Sequence, residues 1–240
     1  MENFLDWTLE QIEDLILRVY NGVVTKDNLP PDLYNAIVEK MVDALDEGFG
    51  NIDPSLRSSF EDNIKSFSFA KTFQQINDMQ NFLLSDNGNI RPFSQFKKEV
   101  LEIFEIYNNN WLETEYKTAI SLGQSAAQWV EILEQSDALP LLQYQTVGDE
   151  RVRQSHRELD NIIKPVNDPF WEEYFPPNDW NCRCIVIRLE EGEATNTEGK
   201  KFESVPDIFR QNPAKDGFFF SEEKHPYFKG LGGRKNGMEL

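Results

Sequence analysis

Leu141-Leu142-Gln143-Tyr144-Gln145-Thr146-Val147 and, further on, Cys184-Ile185-Val186-Ile187-Arg188-Leu189 are the two stretches that decide the fold class. Both are short and rich in β-branched, aromatic and other apolar residues, so both read as strands. Between them, Asp149 opens a stretch from Glu150 to Asn161 that suits a helix, and Pro165, Pro169, Pro176 and Pro177 then break the chain into irregular loop. Everything before Pro140 reads as helix. The expected fold class is therefore α+β: a mainly helical N-terminal region over residues 1–139, followed by a small α+β module over 140–240 with its motif core at 144–189. Beyond Leu189, residues 190–196 read as an exposed loop, and Gly230-Leu231-Gly232-Gly233-Arg234-Lys235-Asn236-Gly237 reads as a flexible C-terminal tail.

Toward the N-terminus the apolar residues recur at helical spacing. Thr8 and Gln11 are placed for a capping box, followed by Ile12, Leu15, Ile16, Val19 and Tyr20 on one face and a stop at Asn21-Gly22. A second helix opens at Pro30-Pro31 and stripes Leu33, Ile37, Val38, Met41, Val42 and Leu45, with Gly48 as its C-terminal signal. Asp53-Pro54 caps a third, carrying Leu56, Phe60, Ile64 and Phe67; Phe69, Phe73, Ile76, Met79 and Leu83 either continue it or form the next. After the turn at Ser85-Asp86-Asn87-Gly88-Asn89, a long helical pattern runs from Pro92 to about Gln135, with Gly123 as the expected break. Its aromatic residues suit a buried bundle face or a docking surface covered by a partner.

The 240 residues suffice for one large domain or two modest ones. No apolar run approaches the roughly 20 residues needed to span a bilayer, and the N-terminus lacks the basic and apolar regions of a signal peptide, so no membrane role and synthesis in the cytoplasm are expected. The formal charge of −18 argues against autonomous binding to nucleic acid, which requires clustered Lys and Arg. The charge is uneven: residues 1–143 carry 10 Lys and Arg against 24 Asp and Glu, and residues 144–240 carry 14 against 18. Any DNA contact is thus expected, weakly, from the second half. Two cysteines cannot make a disulfide framework, and Cys182 and Cys184 stand too close in sequence to bridge without strain, which favours thiol or metal chemistry.

The order Tyr144, Thr146, Asp149, Arg151, Arg153, His156, Leu159, Asp160, then Phe170-Trp171, Pro176-Pro177-Asn178, Trp180 and Cys182-Arg183-Cys184 resembles the phage Mu F-like minor head proteins, also called phage head morphogenesis proteins. The resemblance covers roughly residues 140–190. One departure is Asn161, where the family tends to have glycine; Asn also tolerates left-handed backbone, so the turn survives. The resemblance implies a minor head protein of a phage or prophage, made in the bacterial cytoplasm and located in the virion head. It would act structurally, without enzymatic turnover or a small-molecule substrate, through portal and capsid proteins in head assembly or in DNA packaging and ejection.

The residues themselves leave several chemistries open. Cys182 and Cys184 on a strand would project from one face, and His156 on the preceding helix would add a nitrogen, giving a metal site for zinc with Asp149, Asp160 or His225 as a fourth ligand. The alternative is structural: buried sulfurs, a hydrogen-bonded His156, and Arg151, Arg153 and Arg183 paired with carboxylates such as Asp160 and Asp179, with Trp180 beside them, pinning the proline-broken loop. A catalytic reading, with a cysteine nucleophile and His156 as base, or a zinc-dependent hydrolase, rests on residue types alone. A further alternative is a delivery module of a larger toxin-type protein. Phe170-Trp171 and Tyr174-Phe175 are expected to close a satellite core, an exposed Trp171 being the sign of docking instead. Phe218-Phe219-Phe220 and His225-Pro226-Tyr227-Phe228 are too aromatic to be left wholly in water.

Overall fold

The first four helical stretches begin where local signals place them. In this computed structural model, which describes residues 4–50 and 53–231, α1 spans Leu9–Tyr20 and opens with the Thr8/Gln11 capping box. Reciprocal bonds between the Thr8 and Gln11 side chains and backbone satisfy two amides that a helix end leaves bare, an arrangement worth about 1 kcal/mol. α2 (Pro31–Phe49) and α3 (Pro54–Asn81) follow, the latter capped by Asp53 Oδ1 accepting from Ser55 N at 2.7 Å. The pattern from Phe69 to Met79 continues α3 as one helix, and Leu83 lies just beyond its end. α4 (Phe93–Glu105) and α5 (Leu112–Glu134) come next. Residues 1–3, and residues 232–237 of the expected flexible tail, lie outside the described residues.

Two breaks fall elsewhere than expected. The pattern from Pro92 to Gln135 is interrupted at Ile106–Trp111, a π-helical turn, and α5 runs unbroken through Gly123. Asn108-Asn109-Asn110 explains the first point: Asn is a weak helix former, and Asn109 Oδ1 accepts instead from Phe4 N at 2.8 Å. Gly123 is small for packing rather than for a turn. A Cβ there would stand 3.1 Å from the Gly48 carbonyl carbon, and one on Gly48 would stand 2.4 Å from Ile120 O. Gly48 accordingly lies within the last turn of α2 rather than beyond it.

The chain divides into two compact units that do not follow chain order. The first comprises residues 1–43, 61–116 and 220–240 and is helical, with Leu15, Ile16, Val19, Leu33, Ile37, Phe67, Phe96 and Phe104 in its core. Phe220 stacks on Phe67 at 4.0 Å, so the aromatic C-terminal segment is part of that core. The second comprises residues 44–60 and 117–219.

In the second unit, β1 (Leu141–Gln145) is the centre of a three-stranded antiparallel sheet of order β2-β1-β3, with β2 at Ile163–Pro165 and β3 at Ile185–Leu189. Leu141 pairs with Leu189 and with Pro165, and Gln145 with Ile185. Pro165 is tolerated because β2 is an edge strand. Alternation buries Leu142, Tyr144 and Val186 against Trp129, Ile132, Leu159, Ile162, Phe170, Trp171 and Phe175. Burial of each such side chain stabilises by roughly 1.5–3 kcal/mol. Trp171 is almost fully buried and its Nε1 donates to Pro165 O at 2.9 Å, so it is a core residue and not a docking anchor.

The helix expected over Glu150 to Asn161 shrinks to α6, Gln154–Arg157. Pairing with β1 wins beyond it: Asn161 N donates to Tyr144 O at 2.8 Å and Tyr144 N to Ile162 O at 2.9 Å. Asn161 turns the chain into that pairing at φ +62°, the left-handed conformation that Asn tolerates. Two more short helices, α7 (Phe170–Tyr174) and α8 (Pro213–Asp216), complete the described helical segments of this unit apart from a 3-10 turn at Asp207–Phe209. No described helix is long and apolar enough to cross a membrane.

Candidate functional site

Three segments of the second unit meet at the end of β1. α6 supplies His156, the turn closed by Cys182 N donating to Asp179 O at 3.1 Å supplies Cys182, and the residue before β3 supplies Cys184. The cysteines therefore precede the strand rather than lie on it. Both sulfurs nonetheless converge on the same imidazole nitrogen: Cys182 Sγ stands 3.7 Å and Cys184 Sγ 3.6 Å from His156 Nδ1. Among the described residues, these three form the one grouping of His, Cys, Asp or Glu whose ligand atoms all lie close enough for a metal ion, within 4.8 Å of one another.

The two sulfurs are electrostatically unequal. The Cys182 thiol is pulled down, first by its hydrogen bond with Cys184, against burial, which opposes ionisation, and further by its contact with His156 and by the backbone amides of Asn178 and Cys184. The Cys184 thiol is pushed up, first by its bond to Cys182 and then by burial. The two thiols are coupled, so charge on one sulfur disfavours charge on the other. Tyr144 is also held neutral, chiefly by burial, and its hydroxyl reaches Cys184. Asn178 Nδ2 donates to that hydroxyl at 3.1 Å and to Tyr174 O at 3.1 Å. Sequence reasoning placed Tyr144 and Asn178 in the motif without assigning them to the sulfurs; the signal was the period of β1, which puts Tyr144 on the buried face.

Around this centre the charged residues are paired. Arg183 donates through both terminal nitrogens to the Asp149 carboxylate at 2.8 Å each, which lowers that carboxyl to about 2, and Arg151 N and its guanidinium add to the same oxygens. Arg153 pairs with Asp179 at 2.9 Å and donates to Trp180 O at 3.0 Å. Asp160 accepts from Thr146 N at 2.7 Å and Thr146 Oγ1 at 3.0 Å rather than from an arginine. Arg157 donates to Val152 O and Asp149 O, and the Trp180 ring meets Phe209 edge-on at 5.0 Å. Of the three carboxylate or imidazole groups expected as a fourth ligand, Asp149 and Asp160 are so engaged, and His225 belongs to the first unit, where it packs on Phe67 at 5.2 Å.

Two open cavities border the sulfurs. One, of about 560 Å³, is lined by Lys117, Arg151, Arg153, Asn181, Cys182 and Arg183. The other, of about 580 Å³, includes Gln128, Pro176, Cys182, Cys184 and Arg188 in its wall.

A polar cluster in the first unit escaped sequence reasoning. Lys71 Nζ is fully buried, 2.8 Å from Glu115 Oε2 and 3.3 Å from the Tyr227 hydroxyl, which itself donates to Glu115 Oε1 at 2.6 Å. Tyr107 donates alongside to Asp78 at 2.7 Å, and burial raises both tyrosines. A signal existed: Lys71 falls on the stripe Ile64, Phe67, Lys71, so a cation on the buried face was legible, but its distant partner Glu115 was not.

Residues 88–187 match the family of phage Mu protein F like proteins. The match reaches further toward the N-terminus than the resemblance read at residues 140–190, taking in α4 and α5. The chain is 38% identical over 93 residues to the Mu-like prophage FluMu F protein of Haemophilus influenzae, an alignment covering 39% of this chain and 22% of that protein. It is 36% identical over 78 residues to the putative capsid assembly protein F of Escherichia phage Mu, covering 32% of this chain and 18% of that protein. The chain thus spans about a fifth of the length of these curated relatives. No solved structure matches it.

Proposed function

We propose that this Mu F-like chain is a phage or prophage capsid-assembly protein of the minor head class, acting through contacts with portal and capsid proteins and without turnover of its own. The observation that carries the reading is its 36% identity with a putative capsid assembly protein over 78 residues. Two features support it. The charged residues of the motif, Asp149, Arg153, Asp179 and Arg183, are spent on one another and on loop carbonyls, as suits a segment whose work is to hold a shape. The net charge of −18 opposes close approach to packaged DNA and leaves protein surfaces as the favoured partners, in a virion head assembled in the bacterial cytoplasm.

Co-expression with the portal and major capsid proteins of the same phage or prophage, followed by gradient sedimentation, tests this. The chain is expected to travel with assembled heads or with the portal. Recovery of heads free of it, with the chain remaining at the top of the gradient, would refute the proposal.

A further inference from the structure

We infer that Cys182, Cys184 and His156 bind one zinc ion through their two Sγ atoms and Nδ1, with water in the remaining position, as a structural centre that clamps the proline-broken segment to α6. This goes beyond the assembly role and does not depend on it.

The distances fit an ion, and the convergence of two sulfurs on one nitrogen favours it over a plain hydrogen-bonded triad. Zinc holds sulfur at about 2.3 Å and imidazole nitrogen at about 2.0–2.1 Å in tetrahedral array, which places the ligands about 3.6 Å apart. The observed separations from Nδ1 are 3.7 Å for Cys182 and 3.6 Å for Cys184. One imidazole nitrogen carries either one lone pair or one proton, and so serves one sulfur at a time. A cation among the three atoms is shared by all of them, which accounts for both sulfurs converging on that nitrogen.

The donor set suits the metal. Two sulfurs and an imidazole select a soft or borderline ion, and zinc is the common one without redox demands. Zinc binds cysteine as thiolate, so its entry between the two sulfurs would displace thiol protons to water, which makes binding weaken as pH falls. The outer partners are in place as well. Asn178 donates to Tyr144, and the Tyr144 hydroxyl reaches Cys184, a chain that orients the sulfur in the way hydrogen-bonded neighbours orient ligands at known metal centres. The short Cys-x-Cys spacing is accommodated because Arg183 between them turns to Asp149 while both sulfurs lie against His156. The cavities bordering Cys182 and Cys184 give water and an entering ion access.

Elemental analysis of the full chain, purified under reducing conditions without chelator, is expected to give close to one zinc per chain. The metal-free, reduced chain is then titrated with Co²⁺, for which sulfur-to-cobalt charge-transfer absorption in the near ultraviolet is expected, together with visible bands of four-coordinate intensity that zinc abolishes. Cys182→Ser, Cys184→Ser and His156→Ala should each weaken binding by roughly tenfold or more. Asp149→Asn, which weakens the pairs with Arg183 and Arg151 and touches none of the three ligands, should keep the cobalt spectrum. A folded wild-type chain that carries no stoichiometric zinc and gives no charge-transfer band would overturn the inference, as would undiminished cobalt binding by Cys184→Ser. If the variants fail to fold, the wild-type spectrum alone decides. Loss of this inference leaves the sedimentation result untouched, and loss of the assembly reading leaves the cobalt result untouched.

Discussion

Replacing Lys71 by Met should be among the most damaging single changes in the first unit, because it strands a carboxylate. Lys71 is fully buried and pairs with Glu115, which is almost as deeply buried, at 2.8 Å. Burial depresses the Lys71 ammonium and Glu115 opposes that effect, so each charge is tolerated because of the other. Lys71→Met leaves Glu115 with the Tyr227 hydroxyl at 2.6 Å as a donor and removes a cation lying 5.1 Å from the Tyr227 ring and 5.3 Å from the Tyr107 ring. Breaking a buried pair from one side costs about 3–5 kcal/mol. At about 2–4 °C per kcal/mol for a chain of this size, the midpoint should fall by on the order of 10 °C. Removing both charges is a different matter: Lys71→Met with Glu115→Leu leaves no orphaned ion and should lie within about 1.5 kcal/mol of wild type, the residue of the loss coming from the unpaired Tyr227 hydroxyl. Urea unfolding followed by circular dichroism and tryptophan fluorescence measures all three. The reasoning is refuted if Lys71→Met costs less than about 1 kcal/mol, or if the double variant costs the sum of the two singles.

Three further outcomes follow from the same structure. His225 is held neutral down to about pH 4 by burial and by Lys71, whose charge is paired with Glu115, against 6.5 in the unfolded chain. Its contribution is thus complete above 6.5 and falls, by up to roughly 3 kcal/mol, as pH drops toward 4; melting curves of wild type and His225→Asn should diverge in that window, and parallel curves would sink the idea. Gly48→Ala should destabilise by roughly 1–3 kcal/mol and more than Gly123→Ala, since the new Cβ meets the Ile120 carbonyl oxygen at 2.4 Å in the first case and the Gly48 carbonyl carbon at 3.1 Å in the second; the reverse order would contradict the close approach. At Asn161, with φ +62°, glycine should be tolerated to within about 1 kcal/mol while valine costs about 1–2 kcal/mol or more, and equal responses in a thermal melt would show that the left-handed turn does not matter.

What the sequence made legible was local. The Thr8/Gln11 cap, the Asp53 cap, the apolar stripes of α1 to α3 and the strand character of residues 141–145 and 185–189 are each set within a few residues, where propensity and periodicity act. The failures came where distant partners compete. Glu150 to Asn161 has a helical pattern, yet the backbone of residues 161 and 162 bonds to Tyr144 instead. Gly123 carries the signal of a helix break, but its use is an approach to residues 48 and 49 that no local window contains. The site divides the same way. The two-residue period and a nearby histidine brought Cys182, Cys184 and His156 into one reading, whereas the partner of Arg183 proved to be Asp149, a pairing that only the three-dimensional fold could choose.

The motif segment has a physical reason for being rich in polar residues of fixed order. Pro165, Pro169, Pro176 and Pro177 donate no backbone hydrogen bonds, and the loops on either side of α6 have few ladder partners, so their carbonyls must be met from the side. Ser125 donates to Pro176 O at 2.6 Å, Asn178 to Tyr174 O, Arg153 to Trp180 O, and Arg157 to Val152 O and Asp149 O. Each such bond contributes only about 1 kcal/mol, and ordering one residue of irregular backbone costs about 1–2 kcal/mol. Side-chain bonds alone therefore leave this segment close to balance, and the apolar anchors Tyr144, Trp171 and Phe175 supply the excess that keeps it folded. A metal clamp at His156, Cys182 and Cys184 would add to those anchors at the junction of α6 with β3, beside the Tyr144 hydroxyl. Chelation should then loosen the segment around residues 149–184 while leaving the Lys71–Glu115 core intact, a contrast that hydrogen exchange resolves amide by amide.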